Sequence, residues 1–484
     1  MTEHQHATGA VVDFIVRARW GEFPSEAVAL AKRCVVDGLG VMLAGSTTSA
    51  SAILRDYVGT ENPAGSKNTG AATSGESTVF GPESFRTSAA NAALLNGTSG
   101  HALDYDDTQL ATSADRIFGL LTHPTMPPLA AALALGERQR VSGAAFLEAF
   151  LVGFELECKI AEAIHPHHYK KGFHSSGTVG TFGSMAAAAK LLGLNRDATT
   201  NALAIAASLA AGIRVNFGSM TKPLHVGRAA QNGIVAAELA ARGFTGGRDA
   251  LDPPWGFFQA FSFGDGFDAD RIVARLGNPY TIVSPGVSIK PYPCGVLGHP
   301  TMDAMRRLVM ANDVKPEQIA AIRVRAGSNI LNPLRYSIAT NELEAKFCPA
   351  FMVASIALRR KAGIHEFTDE FVQSAPVQRM MSKVERVLDP EIEARGFEKI
   401  RSTVEVDLKD GRRLVEHADE RYRGGPDRPF TREELHDKYA ECAGLVLSST
   451  GIDETFRMVE SLDTLADLTD LVRSLSGSVA GTAA

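Results

Sequence analysis

Apolar residues recur at helical spacing through most of the first half of the chain. Residues 10–58 follow this repeat, and Pro24-Ser25-Glu26 marks a helix start within them. Residues 60–85 are polar and glycine-rich, which is typical of a loop with a short edge strand at 77–80. From about 86 to 245 one alanine-rich helical pattern follows another; the predicted helices are 88–95, 126–139, 143–164, 179–192 and 198–211.

The pattern changes near residues 270–290, where prolines bracket a non-helical run. Residues 319–324 alternate like a strand, and 403–408 with 412–416 predict a β-hairpin around Lys409-Asp410-Gly411. Helical patterns return at 432–447 and 452–475. We therefore predict a mostly α protein with a large all-helical domain, 1–274 and 431–484. A smaller α+β lid domain, 275–430, is inserted into it.

Composition restricts the class of protein. Hydrophobic residues make up 45% and charged residues 21% of the 484 residues, which is ordinary for a globular chain. A net charge of −6 supplies no broad positive field for nucleic acid or an acidic membrane. No apolar run approaches the ~20 residues of a membrane span, and no signal peptide pattern is visible, so we expect a cytoplasmic protein. Five cysteines without CxxC spacing favour neither disulfides nor structural zinc.

Two segments combine ionisable side chains with small residues. NGTSGHALDYDDT, residues 96–108, holds three acids within four positions, at Asp104, Asp106 and Asp107. A solvated acidic helix start is the simplest interpretation, since the oxygen spacing of a calcium loop is missing. In THPT, residues 122–125, His123 precedes an apolar helix, whose positive dipole end favours a neutral imidazole that can act as a general base.

Three further segments carry histidine or lysine. His174 lies in GFHSSGTVG just before another helix start, and Lys222 precedes a helix that begins near Pro223. A lysine and backbone amides at such a position suit a carboxylate ligand. In the second domain, the proline-rich loop KPYPCGVLGH presents Lys290, Tyr292 and His299, which could close over a cleft. Each residue alone is more often structural or solvent-exposed.

A second group of histidines allows the alternative hypothesis of a metal site. His165, His167 and His168 lie within four positions, but no carboxylate or cysteine at ligand spacing completes the set. A metal hydrolase built on these three histidines is therefore an alternative hypothesis. A non-catalytic binding or scaffold protein is another.

Five motifs in this order resemble the MmgE/PrpD family, and the resemblance covers nearly the whole chain. They are NGTSGHALDYDDT, THPT, GFHSSGTVGTFG, NFGSMTKPLHVGRAAQNG and KPYPCGVLGH. Known members include 2-methylcitrate dehydratase, cis-aconitate decarboxylase and iminodisuccinate epimerase. The resemblance implies a helical domain with an α/β lid, a homodimer and an active site between the two domains. It also implies a small polycarboxylate substrate and no metal or organic cofactor.

The resemblance also implies roles for individual residues. Lys222 would hold a substrate carboxylate, His123 and His174 would move protons at the neighbouring carbon, and Asp104 would orient a histidine or accept a proton. Thr108 would donate a hydrogen bond to the substrate. His299 of the lid loop is also implied to lie at the site, with Lys290 and Tyr292 as further substrate-binding candidates from the same loop.

The chemistry shared by the family is proton movement α to a carboxylate, which serves dehydration, decarboxylation and epimerisation. Two departures bear on the choice among them. The connector 109–122 is longer than in known relatives, and the lid tyrosine of decarboxylase-like members is absent near Ile330-Leu331-Asn332, with Tyr336 further along. The second departure argues against cis-aconitate decarboxylation, and NFGSMTKPLH is closer to the epimerase-like branch. The net reaction stays open at this point.

Overall fold

A computed structural model describes residues 7–61, 75–109, 122–262, 264, 266–396, 400–419 and 421–476. Most of the connector 109–122, namely residues 110–121, lies outside the described residues, and so does its predicted effect on the pocket.

Helices dominate the first half of the chain and its end. The first twelve are α1 (Ala7–Arg17), α2 (Ser25–Gly45), α3 (Ser49–Glu61), α4 (Ala89–Ala102), α5 (Met126–Gln139), α6 (Gly143–Ile164), α7 (His167–Lys170), α8 (Ser175–Leu191), α9 (Arg196–Leu209), α10 (Thr221–Ala241), α11 (Phe257–Ser262) and α12 (Asp270–Arg275). A short hairpin of β1 (Ser77–Val79) and β2 (Phe85–Thr87) precedes α4.

Small residues let the central helices approach closely. A Cβ on Gly97 of α4 would lie 3.0 Å from Cα of Gly227 in α10, and one on Gly227 would overlap Thr98. Side chains at these two positions would push the helices apart. Glycine here therefore brings the C-terminal end of α4 and the N-terminal end of α10 to the same place, where the charged motifs lie.

The second half forms a smaller α+β unit. Its helices are α13 (His299–Ala311), α14 (Ser328–Leu331), α15 (Glu342–Ala345), α16 (Pro349–Arg359), α17 (Asp369–Gln373), α18 (Ala375–Met381) and α19 (Pro390–Ala394). Its strands are β3 (Ile319–Ala326), β4 (Val384–Leu388), β5 (Ser402–Leu408) and β6 (Arg413–Ala418), in the order β4-β3-β5-β6. Pairing of β5 with β6 matches the predicted hairpin. Strand β4, which pairs parallel to β3, was not predicted.

Three helices follow the sheet: α20 (Arg432–Ala443), α21 (Ser449–Glu460) and α22 (Thr469–Leu475). The single helix predicted for 452–475 is therefore two helices, interrupted by a turn at Leu462–Thr464. All three pack with the first-half helices in one hydrophobic core, as Tyr439 and Phe456 illustrate.

Two separate hydrophobic cores underlie this architecture. One joins the first-half helices with α20 to α22. The other runs from Tyr292 to Tyr422 and also takes in Tyr169 and Phe217 from the helical half. Ile282 and Ile289, which fall inside the predicted lid, pack with the first core. The mostly α fold with a small α+β part is confirmed. Among the described residues no helix is both long and apolar enough to cross a membrane.

Candidate active site

Four helix ends converge on one buried location between the two cores. Asp104 follows the C-terminal end of α4, and His123 lies three residues before α5. His174 is the N-cap residue of α8, and Lys222 is the second residue of α10. The N-terminal ends of three helices thus meet here, an arrangement that favours negative charge.

Asp104 lies between two buried lysines. Its Oδ1 is 2.9 Å from Nζ of Lys222 and 2.6 Å from Nζ of Lys290. Lys290 also donates to the carbonyl oxygens of Asp104, at 2.8 Å, and Cys294, at 3.3 Å. Lys222 donates as well to Nε2 of His101, at 2.9 Å. Two lysine side chains at the site therefore contact a single carboxylate. This excess of positive charge suits a ligand with several negative charges.

The backbone and the charge state of Asp104 are both unusual. Its φ of 51° is left-handed, a conformation that non-glycine residues adopt at a cost and that aspartate tolerates better than most. Burial by itself would raise the pKa of Asp104, but Lys222 and Lys290 outweigh burial and hold that pKa well below its usual range. Asp104 is therefore ionised throughout the physiological pH range.

Hydrogen-bond partners fix the tautomers of two histidines. Nδ1 of His123 lies 2.8 Å from the carbonyl oxygen of Asp107, which can only accept, so Nδ1 carries the proton. Nε2 of His123 is then unprotonated and lies 3.8 Å from Oδ1 of Asp104. In His101, Nε2 accepts from Lys222 and Nδ1 faces Asp106 at 2.9 Å. Both rings can be neutral in this network.

Burial favours the neutral form of all three imidazoles at the site. It lowers the pKa of His101 to about 3, where Lys222 adds to the effect and Asp106 opposes it. Burial also lowers the pKa of His123, and it lowers that of His174 well below the usual value with help from Lys222. Neutral imidazoles close to cations are suited to proton transfer. This agrees with the neutral His123 expected from its helix terminus.

A small cavity of about 50 Å³ joins these groups to the lid. The helical domain contributes Asp104, Thr108, His123, Tyr169, His174, Phe217 and Lys222. The loop from 290 and the lid contribute Lys290, Gly295, Val296, Leu297, Pro333, Leu334 and Phe347. The cavity has room for only a few water molecules in this structure.

Six of the eight candidate residues line this cavity, and two do not. His299 is fully buried, with Nε2 3.2 Å from the carbonyl oxygen of Cys294 and its ring against Tyr292 and Tyr422. Tyr292 donates to Asp303 at 2.7 Å. Neither His299 nor Tyr292 is among the residues that line the cavity, and the substrate contact expected of them stays a prediction. Their aromatic packing fixes the loop that carries Lys290.

Some residues at the site were not singled out from the sequence. His101 lies in the motif NGTSGHALDYDDT, but it contacts Lys222, which is 121 positions further along the chain. No local sequence pattern predicts such a contact. Phe217 and Phe347 stack at 5.6 Å and face Nζ of Lys222 at 5.3 and 5.5 Å from their ring centroids. Aromatic faces attract cations, and Phe217 could have been noticed as the aromatic residue of the NFGSMTKPLH motif.

Comparisons with known proteins agree with this architecture. The MmgE/PrpD N-terminal domain matches residues 9–270, and the MmgE/PrpD C-terminal domain matches residues 292–464. The chain belongs to the MmgE/PrpD family. It is 29% identical to cis-aconitate decarboxylase of Homo sapiens over 467 residues, which is 94% of this chain and 92% of the relative. The mouse enzyme is also 29% identical, with 92% and 88% covered. A cis-aconitate decarboxylase-like protein of Aspergillus oryzae is 24% identical, with 99% of each chain covered.

One group of potential metal ligands exists among the described residues of this MmgE/PrpD protein. Suitable atoms of His101, Asp104, Asp106 and His123 lie within 4.8 Å of one another. Lysine ammonium groups, however, already contact Asp104 and His101 at 2.6 to 2.9 Å. A divalent cation would have to displace those positive charges. The donor set therefore fits a proton-transfer network better than a metal centre.

Two of the three histidines of the alternative metal site have other partners. Nδ1 of His168 lies 3.0 Å from the carbonyl oxygen of Phe261, and its Nε2 lies 2.7 Å from Oγ1 of Thr178. Nε2 of His165 contacts Ser175 at 3.0 Å. The described residues bring no carboxylate or cysteine ligand group to these rings. The structure therefore does not support a metal hydrolase at this location.

Proposed function

We propose that this protein is a lyase that decarboxylates a small unsaturated tricarboxylic acid of the cis-aconitate type. The observation that carries the proposal is that charged, imidazole and apolar side chains line one cavity. Lys222, Lys290, His123 and His174 line it together with apolar residues such as Val296, Leu297 and Leu334. The identities to cis-aconitate decarboxylases support the same reaction.

The charged and the apolar lining residues have complementary roles in this reaction. The lysines hold two of the three substrate carboxylates by charge. The third carboxylate then faces Val296, Leu297 and Leu334, where it loses solvation that uncharged CO₂ does not need. Loss of CO₂ leaves an electron pair on carbon, and an imidazole delivers the proton that carbon must gain. Each decarboxylation consumes one proton.

The test is turnover of cis-aconitate by the purified protein, with CO₂ release and the product followed by NMR in H₂O and D₂O. We expect stoichiometric CO₂ and one solvent-derived hydrogen in the product. Metal analysis of the active protein is expected to give substoichiometric zinc and manganese. Absence of CO₂ from cis-aconitate at high enzyme concentration would refute the proposal.

Isomerisation by proton transfer alone is the second candidate. The placement of Tyr336 favours this candidate. Tyr336 does not line the cavity, and its hydroxyl oxygen accepts a hydrogen bond from Arg335 at 3.1 Å. Among the lining residues described, no tyrosine of the lid can therefore serve as a second acid. Two neutral imidazoles, His123 and His174, line the same cavity and can exchange a proton on different faces of a carbon. Deuterium exchange into a dicarboxylate without loss of CO₂ or water would select this candidate.

A further inference from the structure

A second histidine contacts His174 on the side away from the described catalytic network. Nδ1 of His225, on the first turns of α10, lies 3.0 Å from Nδ1 of His174. His174 is buried and lines the cavity, whereas His225 is only partly buried. The pair therefore runs from the reacting groups toward the solvent.

The surroundings of His225 are built for an imidazole. A Cβ on Gly177 would lie 3.1 Å from Cβ of His225, and one on Gly212 would lie 3.3 Å from its Cγ. Gly212 also has a φ of 138°, and its carbonyl oxygen accepts from the backbone N–H of His174 at 3.0 Å. The close approach of the backbone at these two glycines thus holds the rings of His174 and His225 in place relative to each other.

We propose that His225 is a proton-relay residue, which exchanges protons between solvent and His174 during turnover. This inference rests on the proposed decarboxylation, which takes up one proton in each cycle. His225 does not touch the substrate and acts only through His174.

Proton balance is satisfied by a change of tautomer in each ring. Nε2–H of His174 gives its proton to the substrate carbon, and Nδ1 of His174 receives the proton that Nδ1–H of His225 donates. Nε2 of His225 takes a proton from water. After the product leaves, Nε2 of His174 takes a proton from water that enters the cavity. Nδ1 of His174 then returns a proton to Nδ1 of His225, and Nε2 of His225 returns one to solvent, which restores both starting tautomers. Neither ring has to become an imidazolium.

The charge environment favours such a neutral route. Burial lowers the pKa of His225 to about 4, with a further contribution from Lys222 one turn earlier on α10. The pKa of His174 is also well below its usual value because of burial and Lys222. A positive charge on either ring would face the lysine, so a relay between neutral tautomers avoids that repulsion.

The test compares His225→Ala and His225→Gln with wild type on cis-aconitate, in dilute and in concentrated imidazole buffer. We expect both variants to lose about tenfold or more in kcat in dilute buffer, with KM changed less than about twofold. Imidazole in the buffer should restore the kcat of His225→Ala, because removal of the ring leaves a space beside Gly177 and Gly212. It should not restore the kcat of His225→Gln, because the glutamine side chain still fills that space.

The control is His436→Ala, which removes another partly exposed histidine, paired with Asp453 at 3.0 Å and far from the site in the chain. It should leave kcat unchanged in both buffers. Unchanged kcat in His225→Ala, or a loss that imidazole does not relieve in a folded variant, would overturn the relay.

If wild type does not turn over cis-aconitate, the proposed function fails, and ¹⁵N NMR of labelled histidine still decides on the relay contact. The Nδ1 signal of His225 should move in His174→Gln, because its hydrogen-bond partner changes. A signal that stays in place would overturn the relay independently of any substrate.

Discussion

Replacing Asp104 by asparagine removes the carboxylate that two buried lysines share. Asparagine has nearly the same size and also tolerates the left-handed φ of 51° at this position. The substitution therefore isolates the charge from the backbone conformation. Lys222 and Lys290 would be left as two buried cations with no carboxylate in contact at Oδ1.

The expected loss follows from the remaining partners of each lysine. Removing one member of a buried ion pair costs about 3–5 kcal/mol. Lys290 retains the carbonyl oxygens of Asp104 and Cys294, and Lys222 retains Nε2 of His101. These contacts compensate in part, so we expect Asp104→Asn to lower the free energy of unfolding by about 3 kcal/mol.

The assay is urea unfolding followed by circular dichroism and tryptophan fluorescence, with Asp313→Asn as the matched control. Asp313 is also left-handed, with a φ of 45°, and also contacts two cations, Lys315 and Arg360 at 2.9 and 2.6 Å. Its side chain is 68% exposed, however, so its loss should change the free energy of unfolding much less than the loss of Asp104 does. The double variant Asp104→Asn/Lys290→Met should recover part of the loss. Equal, small effects of Asp104→Asn and Asp313→Asn would show that Asp104 does not offset the buried charge of Lys222 and Lys290.

Three further outcomes are expected. The neutral imidazoles of His123 and His174 should keep kcat/KM constant from pH 8 to below the ordinary histidine pKa of about 6.5; an acidic limb centred near pH 7 would contradict this. Burial raises the pKa of Asp107 to about 8, so the folded state keeps a proton that the unfolded state loses. The stabilisation that this proton provides is complete at acidic pH and is lost as pH rises through 8, by at most about 1.4 kcal/mol per pH unit. Asp107→Asn should flatten this pH dependence of the free energy of unfolding in urea titrations at pH 5 to 9. An unaltered slope would argue against a protonated Asp107. Lys346 of the lid donates a hydrogen bond to the carbonyl oxygen of Ala102 at 3.2 Å. Lys346→Met should therefore weaken the contact between lid and helical domain and raise KM about tenfold. Unchanged kinetics would show that this contact plays no part in substrate binding.

The fold followed from the sequence where local patterns are strong. Helices α5 and α6 have the bounds that their apolar repeats predicted, and the hairpin of β5 and β6 followed from alternation around a turn. Strand β4 is mostly half-buried and lacks that alternation, so only its pairing with β3 defines it.

The candidate site could be predicted as a set of residues but not as a geometry. Motifs pointed to Asp104, His123, His174 and Lys222, and the structure places all four around one cavity. Which side of a loop each residue faces depends on tertiary packing. For that reason the motif could not show that His299 packs between Tyr292 and Tyr422 and is not among the lining residues.

Deuterium incorporation from D₂O during turnover of cis-aconitate by wild type, His174→Gln and Lys222→Met tests the proposed proton transfer at this site. Wild type is predicted to place one solvent deuterium in each product molecule as CO₂ is released. Both variants are predicted to stay folded and to lose at least about a hundredfold in rate. Deuterium incorporation at the wild-type rate in both variants would contradict a proton-transfer site built on these residues.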